Sequence, residues 1–134
     1  MLYRLVEVGQ LARRALLAPL AAHGLEPGDD ALLFFLADNI NVTGADLAAA
    51  LDIADGPVLR ARLSRLCDGN LVARRSTRPD LPSILELTET GRRLRDTLAA
   101  HWDGVEDALV AGMKKKARKK LRRRLGDFAD LLRN

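Results

Sequence analysis

The 134-residue sequence predicts a mostly α-helical fold with one small β-hairpin, and three observations carry that prediction. Apolar residues recur at steps of three and four along most of the chain, which places them on one side of a helix. The apolar content of 48% is built largely from Leu and Ala, with one Trp, one Tyr and three Phe, a palette that suits packed helices better than a sandwich of β-branched and aromatic residues. Only one stretch, "LVARRSTRPDLPSILELT", breaks the helical pattern with two short apolar segments flanking a tip that holds Pro79, Asp80 and Pro82. A chain of this length encloses one ordinary core.

The elements follow in order. Residues 2 to 20 set Leu2, Leu5, Gly9, Ala12 and Leu16 on a seam suited to pairing with another helix, with Gly9 and Ala12 allowing close approach. "HGLEPGDD" interrupts it, "DDALLFFLAD" resumes as a short buried helix, and "DNINV" forms a second break. Thr43 followed by Asp46 is a variant of the capping box and starts a helix over 43 to 52. After a turn at Asp52 to Ala54, Asp55 is the expected cap of the next helix, Pro57 sits in its first turn, and Gly69-Asn70 ends it. The hairpin comes next. Thr88 then caps a long helix running towards Met113, and a last helix continues to Leu132.

Two helices joined by a tight turn and followed by a hairpin describe a winged helix-turn-helix, whose second helix enters the DNA major groove. On that helix Leu59, Leu63 and Leu66 form the inward stripe, while Pro57, Arg60, Ala61 and Ser64 face outward with Arg65 at the margin. Arg60 has the reach for a two-pronged contact to a guanine edge, Ser64 is a short adaptable donor or acceptor, and Arg65 suits a phosphate. Arg62 lies to the side, partly towards the core. Arg74, Arg75 and Arg78 place cations on the edges and tip of the wing. Thr43, at the head of the first of the two helices, completes the set of candidate DNA contacts.

"LADNINVTGADLAAALDIADGPVLRARLSRLCDGNLVARR" followed by "LELTETGRRL" resembles the MarR family of bacterial winged-helix transcriptional regulators, over essentially the whole chain. "LSRLCDGNLVARR" resembles the passage from recognition helix to wing, and "LTETG" the start of the long helix after it. The resemblance implies a homodimer in which the first and last helices of two subunits interlock and two recognition helices enter successive major grooves. It also implies a small-molecule effector, often anionic or phenolic, bound between a DNA-reading lobe and the dimer helices. The lobes expected on this basis are 25–91 for DNA reading and 1–24 with 92–134 for dimerisation, all within one MarR-like domain spanning 1–134. The sequence departs from the family at the wing, where Asp80 is followed by Leu81 and Pro82 rather than arginine, and at Ala61, where an arginine is usual.

The net charge of +4 is unevenly spread, because nine of the 22 Lys and Arg, including all five lysines, lie between Lys114 and Arg124 with no acid among them. On a helical wheel Leu121, Leu125, Phe128 and Leu132 form one stripe with Ala117, so the last helix packs by that edge, a contribution to the dimer, and its cations cover the rest. The plain reading of the run is a solvated face; because nine like charges in eleven positions repel one another, a second reading stands beside it, an anionic partner that is either DNA backbone or an acidic protein.

The residues give no support to an enzyme or a metal centre. His23 and His101 lie far apart without ligand spacing to Cys67 or paired carboxylates, and no nucleophile elbow, phosphate loop or dinucleotide fingerprint occurs. No cofactor is expected and no effector-contacting residue is identified. Cys67 reads as a packing residue at the end of the recognition helix, and His101 and Trp102 as core. With a single cysteine, no apolar run near the ~20 residues that span a bilayer, and no leader pattern, the reading is a cytoplasmic protein without a membrane partner. The favoured function is a homodimeric, sequence-specific transcriptional regulator of double-stranded DNA modulated by a small molecule. Two alternatives are a winged-helix interaction or ligand-binding module that does not read DNA sequence, and an architectural DNA binder using the basic last helix.

Overall fold

The computed structural model describes residues 1–133 and contains six helices and one two-stranded antiparallel sheet. The order is α1 (Leu2–Ala22), α2 (Asp29–Asp38), α3 (Gly44–Ala50), α4 (Pro57–Asp68), β1 (Val72–Arg75), β2 (Ile84–Leu87), α5 (Glu89–Val110) and α6 (Lys115–Arg133). The expected class, mostly α with a hairpin wing on a helix-turn-helix, is the one observed. The chain resolves into two compact units that meet within α5, one comprising residues 1–101 and the other starting at Trp102.

The first unit holds the core. It is made almost entirely of leucine: Leu20 and Leu25, Leu32, Leu33 and Leu36 of α2, Leu47 of α3, Leu59, Leu63 and Leu66 of α4, Leu85 and Leu87 of the sheet, and Leu98 of α5, with Val42, Ala48 and Val72 between them. Phe34, Phe35, Cys67 and Leu94 pack against it from partly buried positions. The second unit, the C-terminal half of α5 with α6, contributes no buried residue among those described.

Local chemistry explains most boundaries. The capping box at α3 is complete: the Thr43 hydroxyl accepts from the Asp46 amide at 3.2 Å, and the Asp46 carboxylate accepts from the Thr43 amide at 2.9 Å. That amide hydrogen bond, reinforced by the Thr43 hydroxyl, holds the Asp46 pKa below its ordinary value. Asp55 does not cap α4; Gly56 occupies the N-cap with no side-chain hydrogen bond, and Pro57 at the first helical position supplies the helical φ instead. Asn70, with φ of 57°, ends α4 through the left-handed region.

Thr88 accepts from the Gly91 amide at 3.0 Å to open α5 and donates its hydroxyl proton to the Asn70 carbonyl at 2.6 Å, so one side chain joins the end of α4 to the start of α5. Glycine at 91 is required by that junction, since a Cβ there would lie 2.1 Å from the Leu71 carbonyl oxygen. The break read at "DNINV" hides a further sheet element: Val42 forms an isolated bridge to Leu85, whose amide donates to the Val42 carbonyl at 2.7 Å.

Pro19 lies inside α1 and has no amide to give the carbonyl of Ala15, four residues earlier. A ring nitrogen of His101 stands 3.0 Å from that carbonyl oxygen and takes the missing donor's place, tying α5 to α1 at the point where the helix lacks its own bond.

Candidate nucleic-acid interface

The helix-turn-helix is α3 and α4, with α4 in the recognition position. Its apolar stripe is set by spacing, and Leu59, Leu63 and Leu66 are all buried. The opposite face carries Pro57, Arg60, Ala61 and Ser64, all exposed. Arg60 has no ion pair or side-chain hydrogen bond among the described residues, so its guanidinium is available to an external acceptor.

The other two arginines of α4 are differently placed. Both reach Asp29 at the start of α2, whose carboxylate is fully buried: Arg62 donates to its Oδ1 at 2.7 Å and Arg65 to the same oxygen at 2.9 Å, while the Glu26 amide donates to Oδ2 at 2.8 Å. Arg62 also donates to the Pro27 carbonyl at 3.1 Å, and Arg65 lies 3.4 Å from the Glu26 carboxylate. The hydrogen bond to Asp29 is the main reason the Arg65 pKa rises further above its ordinary value; partial burial opposes it and the charges of Asp29 and Glu26 add to it.

The segment "EPGDD" builds this anchor. Glu26 accepts from the Asp29 amide at 3.0 Å across a turn with Pro27 and Gly28 at its centre, and Gly28 has φ of 99°, the arrangement of a type II turn. Gly28 is needed twice over, because besides its positive φ a Cβ there would meet the Arg62 guanidinium at 2.8 Å. Two charge-assisted bonds to one buried oxygen therefore fix the rotation of α4 about its axis, and with it the direction in which Arg60 and Ser64 point. Sequence reading assigned Arg65 to a phosphate and left Arg62 aside; neither Asp29 nor its role was found. A buried acid one helix away leaves no periodic signal, although the first of the two aspartates that open the otherwise apolar "DDALLFFLA" was the available cue.

On the wing, Val72 pairs with Leu87 and Arg75 with Ile84, so Arg74 sits opposite Leu85. Arg74, Arg75 and Arg78 are all exposed. Arg75 approaches Glu86 at 3.8 Å and Arg78 approaches Asp80 at 3.3 Å, whereas Arg74 has no such partner among the described residues. Thr43 is occupied by its capping box and is partly exposed at the head of α3. Beside α4 lies a shallow apolar groove of about 430 Å³ lined by Ala31, Leu51, Ile53, Val58 and Leu59.

The seam residues of α1 are solvent-accessible: Leu2 and Leu5 are exposed with Gly9, Ala12 and Leu16 are half-buried, and Leu20 alone of the helix is buried. On α6, Leu121, Leu125, Phe128 and Leu132 are likewise exposed. Cys67 is a free thiol, half-buried against the core. No group of His, Cys, Asp and Glu suited to a metal occurs among the described residues, and no described helix is long and apolar enough to cross a membrane.

These features define a winged helix-turn-helix protein. No protein-family model matches the chain, and no curated protein matches it significantly. Among solved structures it is similar to MepR, described as a transcription regulator of the Staphylococcus aureus multidrug efflux pump MepA, at 18% identity and a TM-score of 0.79, covering 97% of this chain and 96% of that one. It is also similar to the transcriptional repressor CouR bound to a 23-mer DNA duplex, at 25% identity and a TM-score of 0.77, over 95% and 90% of the two chains. CouR from Rhodococcus jostii RHA1 bound to p-coumaroyl-CoA gives 23% identity and a TM-score of 0.71, over 95% and 89%. The fold is thus that of the MarR-family regulators, in keeping with the resemblance read from the sequence, and these neighbours are regulators rather than enzymes.

Proposed function

We propose that the chain is a MarR-type transcriptional regulator that reads double-stranded DNA as a homodimer, with residues 25–91 as the reading lobe and 1–24 with 92–134 as the dimerisation helices. The observation that carries this reading is the division of labour on α4: three leucines buried, two arginines locked to Asp29, and Arg60 left unpaired on the outward face with Ser64 and Ala61. Arg60 and Ser64 are the proposed base contacts, and Thr43, Pro57, Arg74, Arg75 and Arg78 the proposed backbone contacts. The interface leans on Arg60 rather than on Arg65, whose guanidinium serves mainly to hold the helix.

Homodimerisation is supported by the exposed apolar residues of α1 and α6, which a monomer would leave in water. Regulation by a small molecule is supported by the ligand-bound CouR neighbour. The test is selection of bound fragments from sheared genomic DNA, followed by mobility-shift titration of the selected duplex against a scrambled one. The expected result is preference for the selected sequence by roughly three orders of magnitude, with a stoichiometry of two chains per duplex. Equal affinity for both duplexes would refute sequence reading and leave the architectural alternative, and no binding to either would leave the interaction module.

A further inference from the structure

The basic run occupies the first three turns of α6, and the structure sharpens what it can do. Taking Leu121, Leu125 and Phe128 as one stripe, Lys115, Lys116, Lys119, Lys120, Arg122 and Arg123 fall on the opposite side of the helix, and all six are exposed. Of the nine cations from Lys114 to Arg124, only Arg122 meets an acid among the described residues, Glu106 at 3.6 Å, and Arg118 donates to the Met113 carbonyl at 3.0 Å. A shallow depression on this side is lined by Lys116, Lys119, Lys120, Arg122 and Arg123 alone.

Two costs accumulate in the unliganded helix. Like charges stand at i and i+4 in the pairs 115/119, 116/120, 118/122, 119/123 and 120/124, each repulsive. The first turn contains cations and no acid, so the positive end of the helix dipole is loaded with charge of its own sign. A polyanion lying along the helix relieves both at once.

We propose that this outer face of α6 is a second, sequence-independent binding surface for the phosphodiester backbone of duplex DNA. The inference rests on the DNA-binding reading above and adds to it a surface outside the helix-turn-helix and wing. Charge complementarity selects the occupant. Ten residues of helix span roughly 15 Å, and over that length a duplex offers about nine negative charges on its two strands together, of which the side turned to the helix can be met by the six cations of the outer face. A bilayer is disfavoured because an interfacial helix buries its apolar stripe with cations at the flanks. Here Lys116, Lys119 and Arg123 lie on the far side of the helix, about 150° round from the stripe, and would point away from the lipid, while the other cations of the run stand closer to its flanks.

The experiment is a salt titration of full-length protein on a ~40-bp duplex of random sequence, followed by fluorescence anisotropy. Wild type is compared with a variant in which Lys115, Lys116, Lys119, Lys120 and Arg123 are all Gln. Each lost phosphate contact lowers the slope of log K against log salt by about 0.9, so the neutralised variant is expected to lose roughly 3 to 4 in slope and at least tenfold in affinity at low salt. A Lys→Arg variant at the four lysines should retain the wild-type slope. Should the five-fold variant lose helicity by circular dichroism, the five single Gln variants replace it, each expected to lower the slope by about 0.5 to 0.9.

An unchanged slope overturns the proposal, and so does loss of binding to phosphatidylglycerol vesicles or to polyglutamate with the DNA slope intact. The two readings fail separately. If wild type shows no preference for a selected sequence but α6 neutralisation still lowers the slope, sequence reading fails and this surface stands. If preference is present and the slope does not move, the reverse holds.

Discussion

Helices α4 and α6 both carry many cations, yet the structure treats them in opposite ways. On α4, two of three arginines turn inward to a buried aspartate, and the one left free projects from a helix whose rotation those two have fixed. In the run from Lys114 to Arg124, which opens α6, nine cations share a single weak acidic contact and none is fixed by a buried partner among the described residues. An oriented guanidinium on a rigid helix can discriminate one base edge from another. A field of exposed ammonium and guanidinium groups without a fixed orientation can only report how much negative charge lies nearby. On the proposed reading, charge count is therefore a poorer guide to the sequence-reading helix than the presence of inward anchors.

That contrast can be broken most severely at Asp29. Asp29→Ala leaves Arg62 and Arg65 beside an empty, dry site, and removal of one member of a buried ion pair typically costs about 3 kcal/mol or more. The expected outcome is a drop of that size in urea unfolding, together with loss of DNA preference in the fraction that stays folded. Arg60→Ala tests the other half of the same helix. It should leave the unfolding midpoint unchanged within about 0.5 kcal/mol and reduce discrimination between selected and scrambled duplexes by about 1 to 3 kcal/mol. Arg62→Ala should show the converse, a loss of stability before any loss specific to one sequence.

On α6 the sign reverses. Replacing Lys115 and Lys116 by Glu puts acid into a first turn that has none and should stabilise the free protein by about 0.3 to 1 kcal/mol per site at low ionic strength. The gain should vanish in 1 M salt.

The smallest effect concerns Asp46. Its pKa lies below the ordinary aspartate value because it accepts from the Thr43 amide and receives help from the Thr43 hydroxyl. A depressed carboxylate contributes its stabilisation in full above the unfolded value of about 3.9, and the contribution disappears as pH falls through the lower folded value. Asp46→Asn should therefore be slightly less stable than wild type at neutral pH, with the difference shrinking away as pH falls below about 4.

Much of the fold could be read directly, because the signals are local. The leucine periodicity placed α2 and α4 to within a residue or two, the Thr43–Asp46 pair announced its capping box, and the Pro79–Pro82 tip marked the hairpin. What misled was also local: Asp55 is a good N-cap residue, but the chain enters α4 with Gly56 at that position and Asp55 one step too early. The Val42 bridge to Leu85 could not be seen in a stretch of Asn and Ile, since a single pairing leaves no alternation to detect.

The site was half legible. Exposure of Arg60, Ala61 and Ser64 follows from the burial of Leu59, Leu63 and Leu66, because a helix with one fixed face has its opposite face fixed as well. The fates of Arg62 and Arg65 do not follow, because the deciding residue lies 33 and 36 positions away on another helix.

By itself the sequence determined the helices, the turn chemistry, the leucine core and the gathering of nine cations in one segment, all of which depend on residues close together along the chain. Only the tertiary structure decided which arginines are bound inward and which is free, that Gly28 must yield space to a guanidinium and Gly91 to a carbonyl, and that His101 serves the α1 carbonyl that Pro19 leaves without a donor. Those outcomes rest on single contacts between distant segments, and a contact without a repeat leaves no period in the sequence to find.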